Sequence, residues 1–361
     1  MKISRIETRM VKLPADEPLA NGPVPAGATR EFVALRMQTD EGVEGIGVTY
    51  FGSALTATLK SAVDQLGALA VGEDPLRIEA LVGKLRAAAG TTGPGGIFTL
   101  AMSALDMALW DIKGKTFNLP VWKLIGAHRE RVPTYASGAL MRQFPLEHLV
   151  KAAPKLVERG FRQMKTQLAG ETNAAREVER IRRVRESIGD EIDLMCDINQ
   201  RWSVQEAISI GEQIEQYHLY WLEDVTAHDD YPGLARVAQA LATPIAAGEY
   251  VYGLAPFRHL LEARSVDIVM IDLVRVGGIT QWLKVAGMAE AFNLPVVSHL
   301  LPEVHVHLVG AIPNGLTVEY MPWSLRLFEE TPAVKDGYIS VPQRPGLGLR
   351  FDEAALKRYG A

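Results

Sequence analysis

The chain has 361 residues, 48 % hydrophobic and 22 % charged, a composition that buries a large core and excludes disordered, collagen-like and fibrous chains. Its 38 Lys and Arg against 43 Asp and Glu leave a net charge of −5 with no long basic block, so no nucleic-acid partner is expected. The only cysteine is Cys196, which excludes an intrachain disulfide. Charges at Lys2, Arg5 and Glu7 interrupt any leader-like apolar core, and no uncharged run reaches membrane-span length, so the expectation is a cytoplasmic protein with no membrane partner.

In chain order, the first 130 residues read as an α+β unit. Alternating strands are predicted at residues 3–11 and 32–39, turning at Asp40-Glu41-Gly42 into a third strand near 43–48. Helical patterns follow, clearest at Ala101, Leu105, Ala108, Leu109 and Ile112. The run Thr91-Thr92-Gly93-Pro94-Gly95-Gly96 lacks the lysine and preceding strand of a phosphate cradle and reads instead as a loop.

From about residue 131 the pattern changes to a short β-rich run, a loop and an amphipathic helix, repeated. Leu146, Leu149, Val150, Ala153, Leu156 and Val157 make one apolar face that ends at Gly160 and contains Pro154, where a kink is expected. Ser203 and Glu206 have capping-box spacing, and further helices are predicted at 234–241 and 280–292. Eight strands are expected between them, at 132–136, 163–168, 192–197, 220–223, 244–247, 267–271, 295–298 and 316–319. Eight βα-type strands predict a parallel barrel spanning 131–321. The Pro- and Gly-containing stretch 322–361 is expected to return to the N-terminal unit, giving an α/β protein with a lid over a barrel.

Active sites of such barrels lie at the C-terminal ends of the strands. Asp197, Glu223 and Glu249 each end or closely follow an apolar strand, and they are spaced one βα unit of 26 residues apart. One such acid alone reads equally well as a loop residue or helix cap. Three in phase would repel one another unless a cation compensated them, and all-oxygen ligation suits Mg²⁺. Asp272 and His299 end the next two predicted strands, where a carboxylate beside an imidazole fixes its tautomer and raises its basicity. Glu319 ends the last strand. Lys165 and Gln167, two apart on the second barrel strand, point the same way: a lysine can bind a carboxylate or take a proton, whereas an amide only hydrogen-bonds. His305 and His307 fall in a helical stretch and read as packing.

These residues resemble the enolase superfamily, specifically its mandelate racemase subgroup (the mandelate racemase/muconate lactonizing enzyme family). The segments carrying the likeness are Ala104-Leu105-Asp106-Met107-Ala108-Leu109-Trp110-Asp111, Trp221-Leu222-Glu223-Asp224, Ala247-Gly248-Glu249, and Asp272 followed by Gly277-Gly278-Ile279-Thr280. The resemblance implies a modified (β/α)8 TIM barrel with an α+β N-terminal capping domain completed by the C-terminal segment. It implies one Mg²⁺ per active site on Asp197, Glu223 and Glu249, an acid/base dyad of His299 and Asp272, and a substrate carboxylate met by Glu319 and Asn199. It also implies lid loops at 20–25 with Arg30 and at Thr49-Tyr50-Phe51-Gly52, in which Arg30 and Tyr50 are candidate substrate contacts, and a homo-oligomer. Arg30 and Arg201 are candidates for a distal carboxylate or hydroxyls.

The sequence departs from the subgroup at one position: where its racemases carry Lys-X-Lys, this chain has Lys165-Thr166-Gln167. An amide cannot accept an α-proton, so a two-base racemisation loses one base. A single base suffices to remove the α-proton of an acid sugar, through an enediolate, and expel its β-hydroxyl to give a 2-keto-3-deoxy acid, with Lys165 as electrostatic partner. The expectation is therefore a hydro-lyase, with a racemase, epimerase or cycloisomerase as the alternative and a non-catalytic metal-binding relative third.

Overall fold

The computed structural model describes residues 1–20 and 27–361; the predicted lid residues 21–25 lie outside them. The chain opens with an antiparallel sheet of β1 (Ile3–Pro14), β2 (Thr29–Thr39) and β3 (Glu44–Thr49), with β2 central. The turn between β2 and β3 is made by Gly42 at φ +80°, as the Asp-Glu-Gly signal requires. Helices α1 (Thr56–Ala70), α2 (Ile78–Ala88), α3 (Ile97–Thr116) and α4 (Val121–Ile125) follow. Helix α3 lies so close to β3 that a Cβ on Gly47 would stand 2.0 Å from the Ala104 carbonyl oxygen, which explains a Gly-Ile-Gly strand.

Eight parallel strands form the barrel: β4 (Arg131–Leu140), β5 (Gln163–Gln167), β6 (Asp193–Asp197), β7 (Leu219–Glu223), β8 (Ile245–Ala247), β9 (Ile268–Asp272), β10 (Val296–His299) and β11 (Val318–Tyr320). Each overlaps a predicted strand. β11 pairs with β4, and a bridge between Val296 and Gly315 closes the remaining seam. The outer helices are α5 (Leu146–Glu158), α6 (Ala174–Ile188), α7 (Val204–Ile214), α8 (Tyr231–Ala240), α9 (Ala255–Glu262), α10 (Leu273–Val276), α11 (Ile279–Ala291) and α12 (Pro302–Ala311). Helix α5 runs on through Pro154, and α7 begins with the Ser203/Glu206 capping box. Inside the barrel, Tyr135, Met195, Trp221, Met270 and Val297 pack as a plug beneath the strand ends, separate from the larger core between barrel, helices and lid.

The last segment serves both units. Its hairpin, β12 (Val334–Lys335) and β13 (Tyr338–Ser340), pairs antiparallel with the start of β4. Beyond it, α13 (Glu353–Tyr359) leads to a bridge between Gly360 and Val11 of β1. No described helix is long and apolar enough to cross a membrane.

His305 and His307 are fully buried on α12, away from any cluster of metal ligands among the described residues. His305 Nδ1 meets the Leu300 carbonyl at 2.6 Å; His307 Nδ1 accepts from the Trp122 amide, leaving Nε2 to donate to the Leu347 carbonyl at 2.9 Å. Burial pushes both imidazoles down to about 4. The unfolded chain binds these protons near pH 6.5, so the stability they confer is complete above that pH and is lost as pH falls toward 4. Urea unfolding at pH 7 and pH 5 should show the first part of this loss, up to about 2 kcal/mol per histidine. A smaller loss is expected in His305→Gln; an unchanged pH slope would show that this imidazole does not carry it.

Candidate active site

The barrel registers assemble the mouth. Gln167 of β5 lies level with Asp197 of β6, Asp197 with Glu223 of β7, and His299 of β10 with Asp272 of β9. Because each polar residue ends its strand, the row stands where the plug stops. A cavity of about 430 Å³ opens there, lined by Lys165, Gln167, Asp197, Asn199, Glu249, His299 and Glu319 among others. Phe51 reaches into it from the N-terminal unit, and Met321 and Trp323 from the chain after β11.

His299 Nδ1 lies 2.6 Å from Asp272 Oδ2, while Asp272 Oδ1 accepts the amides of Val274 and Arg275 and caps α10. This anchoring fixes the imidazole, leaving Nε2 to face inward, 3.1 Å from Glu249 Oε2 but out of line for a hydrogen bond. Burial alone would lower the imidazole, but Glu249, the Asp272 hydrogen bond and Glu319 together carry it up to about 9. Phe51 lies nearly parallel to the His299 ring, with centroids 6.2 Å apart.

Lys165 Nζ is shared by Glu223 Oε1 at 2.5 Å and Glu319 Oε1 at 2.9 Å, and these acids outweigh burial and hold it as an ammonium. Glu319 is pulled down to about 2: burial opposes ionisation, and Lys165, His299 and the Leu300 amide overcome it. The second oxygen of Glu223 accepts from the Trp221 indole of the plug at 2.9 Å. Gln167 Nε2 donates to Asp197 Oδ2 and Asn199 Oδ1, both at 3.2 Å, and the Asn199 amide donates to Asp197 Oδ1 at 2.8 Å.

Two expectations land elsewhere. Arg30 pairs with Glu17 and stacks over Trp323 at 4.0 Å, and Tyr50 is buried against Phe32 and Phe51. Both line an adjoining cavity that shares only Phe51 and Trp323 with the site. Arg201 does line the mouth.

One acid escaped the sequence reading. Asp224 follows Glu223, and strand alternation would send it away; its φ of +42° turns the chain past the strand end instead. Carboxylate oxygens of Glu223, Asp224 and Glu249 lie within 4.8 Å of one another, while Asp197 faces Gln167 and Asn199. Among the described residues, both oxygens of buried Asp224 and Oε2 of Glu249 have no hydrogen-bond partner. Asp197, Glu223 and Asp224 are all pushed upward, first by burial and then by neighbouring acids. Arg142, Arg275 and Tyr250 are further lining residues with no signal in strand-end spacing.

Fold and site together define a lidded parallel barrel with a hydrogen-bonded Asp272–His299 pair beside a group of buried carboxylates. Residues 6–126 match the mandelate racemase / muconate lactonizing enzyme N-terminal domain and residues 148–355 the enolase C-terminal domain-like model, and the chain belongs to that family. It is 33 % identical over 365 residues to the L-talarate/galactarate dehydratase of Salmonella typhimurium, covering 99 % of this chain and 90 % of that one. It is likewise 33 % identical over 360 residues to the 3,6-anhydro-alpha-L-galactonate cycloisomerase of Streptomyces coelicolor, covering 99 % of each. The structure of L-talarate dehydratase from Polaromonas sp. JS666, complexed with Mg and L-glucarate, superposes with a TM-score of 0.92 at 32 % identity, over 100 % of this chain and 97 % of that one.

Asp272 is the group that fixes His299, so Asp272→Asn should lower the imidazole titration by about a unit or more in an NMR pH series. An unshifted titration would remove Asp272 from this role.

Proposed function

We propose that this protein is a Mg²⁺-dependent lyase that dehydrates an acid sugar to a 2-keto-3-deoxy acid. The observation that carries the reading is a single anchored base, His299 on Asp272, facing a wall where Gln167 offers only an amide. The similarity to dehydratases, one of them described with Mg and L-glucarate, supports it.

The donor set fits the ion: it offers carboxylate oxygens only, and among the described residues Oε2 of Glu249 and both oxygens of the adjoining Asp224 are buried without partners. Asp197, Glu223 and Glu249 would hold it, with Asp224 as an adjoining uncompensated carboxylate. A bound divalent cation offsets the negative charge that develops on the substrate carboxylate as the α-proton leaves. With Glu249 so engaged, its pull on His299 would weaken, leaving Nε2 to accept a proton.

His299 Nε2 then takes the α-proton from one face. The C–H electron pair moves onto the substrate carboxylate as an enediolate, which then re-forms the carboxylate and makes the C2–C3 double bond as the C3–O bond breaks, and the imidazolium gives its proton to the departing hydroxyl, which leaves as water. The enol product tautomerises to the 2-keto acid. Lys165, an ammonium between Glu223 and Glu319, offers its charge to the substrate carboxylate. The isomerase reading is favoured by the position of Lys165 across the mouth from His299 and by the likeness to a cycloisomerase.

EDTA should abolish dehydration and added Mg²⁺ restore it; full turnover in a metal-free preparation would contradict the metal assignment. His299→Asn should cut turnover by at least ~10³-fold while calorimetry still finds the Mg²⁺ site, and near-normal turnover would reject His299 as the base.

A further inference from the structure

The cations around the mouth are not all compensated. Lys165 lies between two acids, and Arg275 donates to the Glu249 carbonyl at 2.9 Å and faces Asp272 at 4.0 Å. Arg142 and Arg201 also line the cavity, yet among the described residues neither forms an ion pair with a carboxylate. Arg142 donates only to neutral oxygens: Nε to the Leu168 carbonyl at 2.7 Å, and Nη2 to Asn199 Oδ1 at 2.6 Å and the Asp197 carbonyl at 3.3 Å. No hydrogen-bond partner among the described residues meets its Nη1. Arg201 makes one long bond, Nη1 to the Ala169 carbonyl at 3.4 Å, leaving Nε and Nη2 without one.

The two guanidiniums share the rim of one cavity. Holding like charges together at the rim of a cavity is unfavourable unless an anion lies between them. They project from the loops after β4 and β6, flanking β5. Between them stands Gln167, whose Nε2 is spent on Asp197 and Asn199, so its Oε1 is the atom left to accept a hydroxyl.

We propose that the substrate is a diacid: a polyhydroxy chain whose reacting carboxylate lies at Lys165 and the acid group, and whose second carboxylate is gripped by Arg142 and Arg201. A planar carboxylate can take a donor from each guanidinium, whereas a terminal hydroxymethyl leaves both charges unanswered. This inference rests on the acid-sugar reading and narrows it to one substrate class. A terminal phosphate shares the anionic chemistry and is a separate arm of the test.

The Mg²⁺-loaded protein would be given stereochemically matched pairs, galactarate with galactonate and glucarate with gluconate, together with 6-phosphogluconate. ¹H NMR in D₂O would follow α-proton exchange and 3-deoxy signals, and kcat/KM would then be measured. Diacids should exceed matched monoacids by about a hundredfold, and Arg201→Met and Arg142→Met should each reduce that ratio about tenfold, chiefly through KM. Equal use of monoacids, preference for the phosphate, or a ratio unmoved in Arg201→Met would overturn the diacid inference while leaving the acid-sugar reading intact. Absence of exchange with every acid would overturn both. Arg201→Met carries the test if Arg142→Met fails to fold, because the exposed Arg201 side chain makes only the one long bond.

Discussion

Like charge gathered in a small buried volume is the constraint to which the rest of the site answers. Asp197, Glu223, Asp224, Glu249, Asp272 and Glu319 are each no more than 3 % exposed, against three buried cationic groups, Lys165, Arg275 and His299. Removing an ionised carboxylate from water costs several kcal/mol unless it is paired and hydrogen-bonded. Glu319 and Asp272 are answered by protein groups and stay ionised; Asp197, Glu223 and Asp224 are pushed upward because they are answered only in part. The excess sits beside the orphaned oxygens of Asp224 and Glu249, where a divalent cation would restore the balance. Strand registers impose the crowding, since acids ending adjacent parallel strands in step cannot move apart without breaking the ladder.

Such a site must also be closed to water, and the closure depends on α3. Its Asp106 accepts from the Thr280 amide at 2.9 Å and from the Thr280 hydroxyl, tying the N-terminal unit to α11 of the barrel. Its Asp111 accepts from the amides of Ile46 and Leu347 and from Lys115, tying β3 and the C-terminal segment to the same helix. With the helix held to both units, the loop after β3 delivers Phe51 onto the His299 ring, with the Arg275 guanidinium 3.9 Å from the Phe51 centroid. An exclusion of solvent above the base thus follows from two buried aspartates more than 25 residues back along the chain from any barrel strand end.

The barrel was legible because its signals are local and periodic. Apolar runs four to six residues long, each ending in a polar residue and spaced by one βα unit, define strand, phase and mouth together, so Asp197, Glu223, Glu249, Asp272, His299 and Glu319 could be placed without coordinates. Asp224 was not legible, because alternation fails once the backbone enters the left-handed region. Arg142 lies in a loop five residues beyond Ser137, where no period applies. Arg30 looked like a free lid arginine, but its partner Glu17 lies across the loop between β1 and β2, and such pairings have no sequence signature. The hairpin that adds β12 and β13 to the barrel escaped for a related reason: two- and three-residue strands carry too little pattern to read.

Gln167 gives these features a common direction. A lysine there would have placed a second cation and a second base on the face opposite His299. The amide does neither, and its hydrogens lock Asp197 and Asn199 in place. On the proposed reading, proton transfer falls to the His299 side, which suits a reaction that removes and returns its proton from one face. Beyond the strand ends Arg142 and Arg201 add positive charge to the Lys165 ammonium, and at the rim of the cavity it is placed for the far end of a chain-like substrate. One residue change of lysine to glutamine, read this way, turns a catalytic wall into a recognition wall, and makes the substrate's distal end a determinant of what the site accepts.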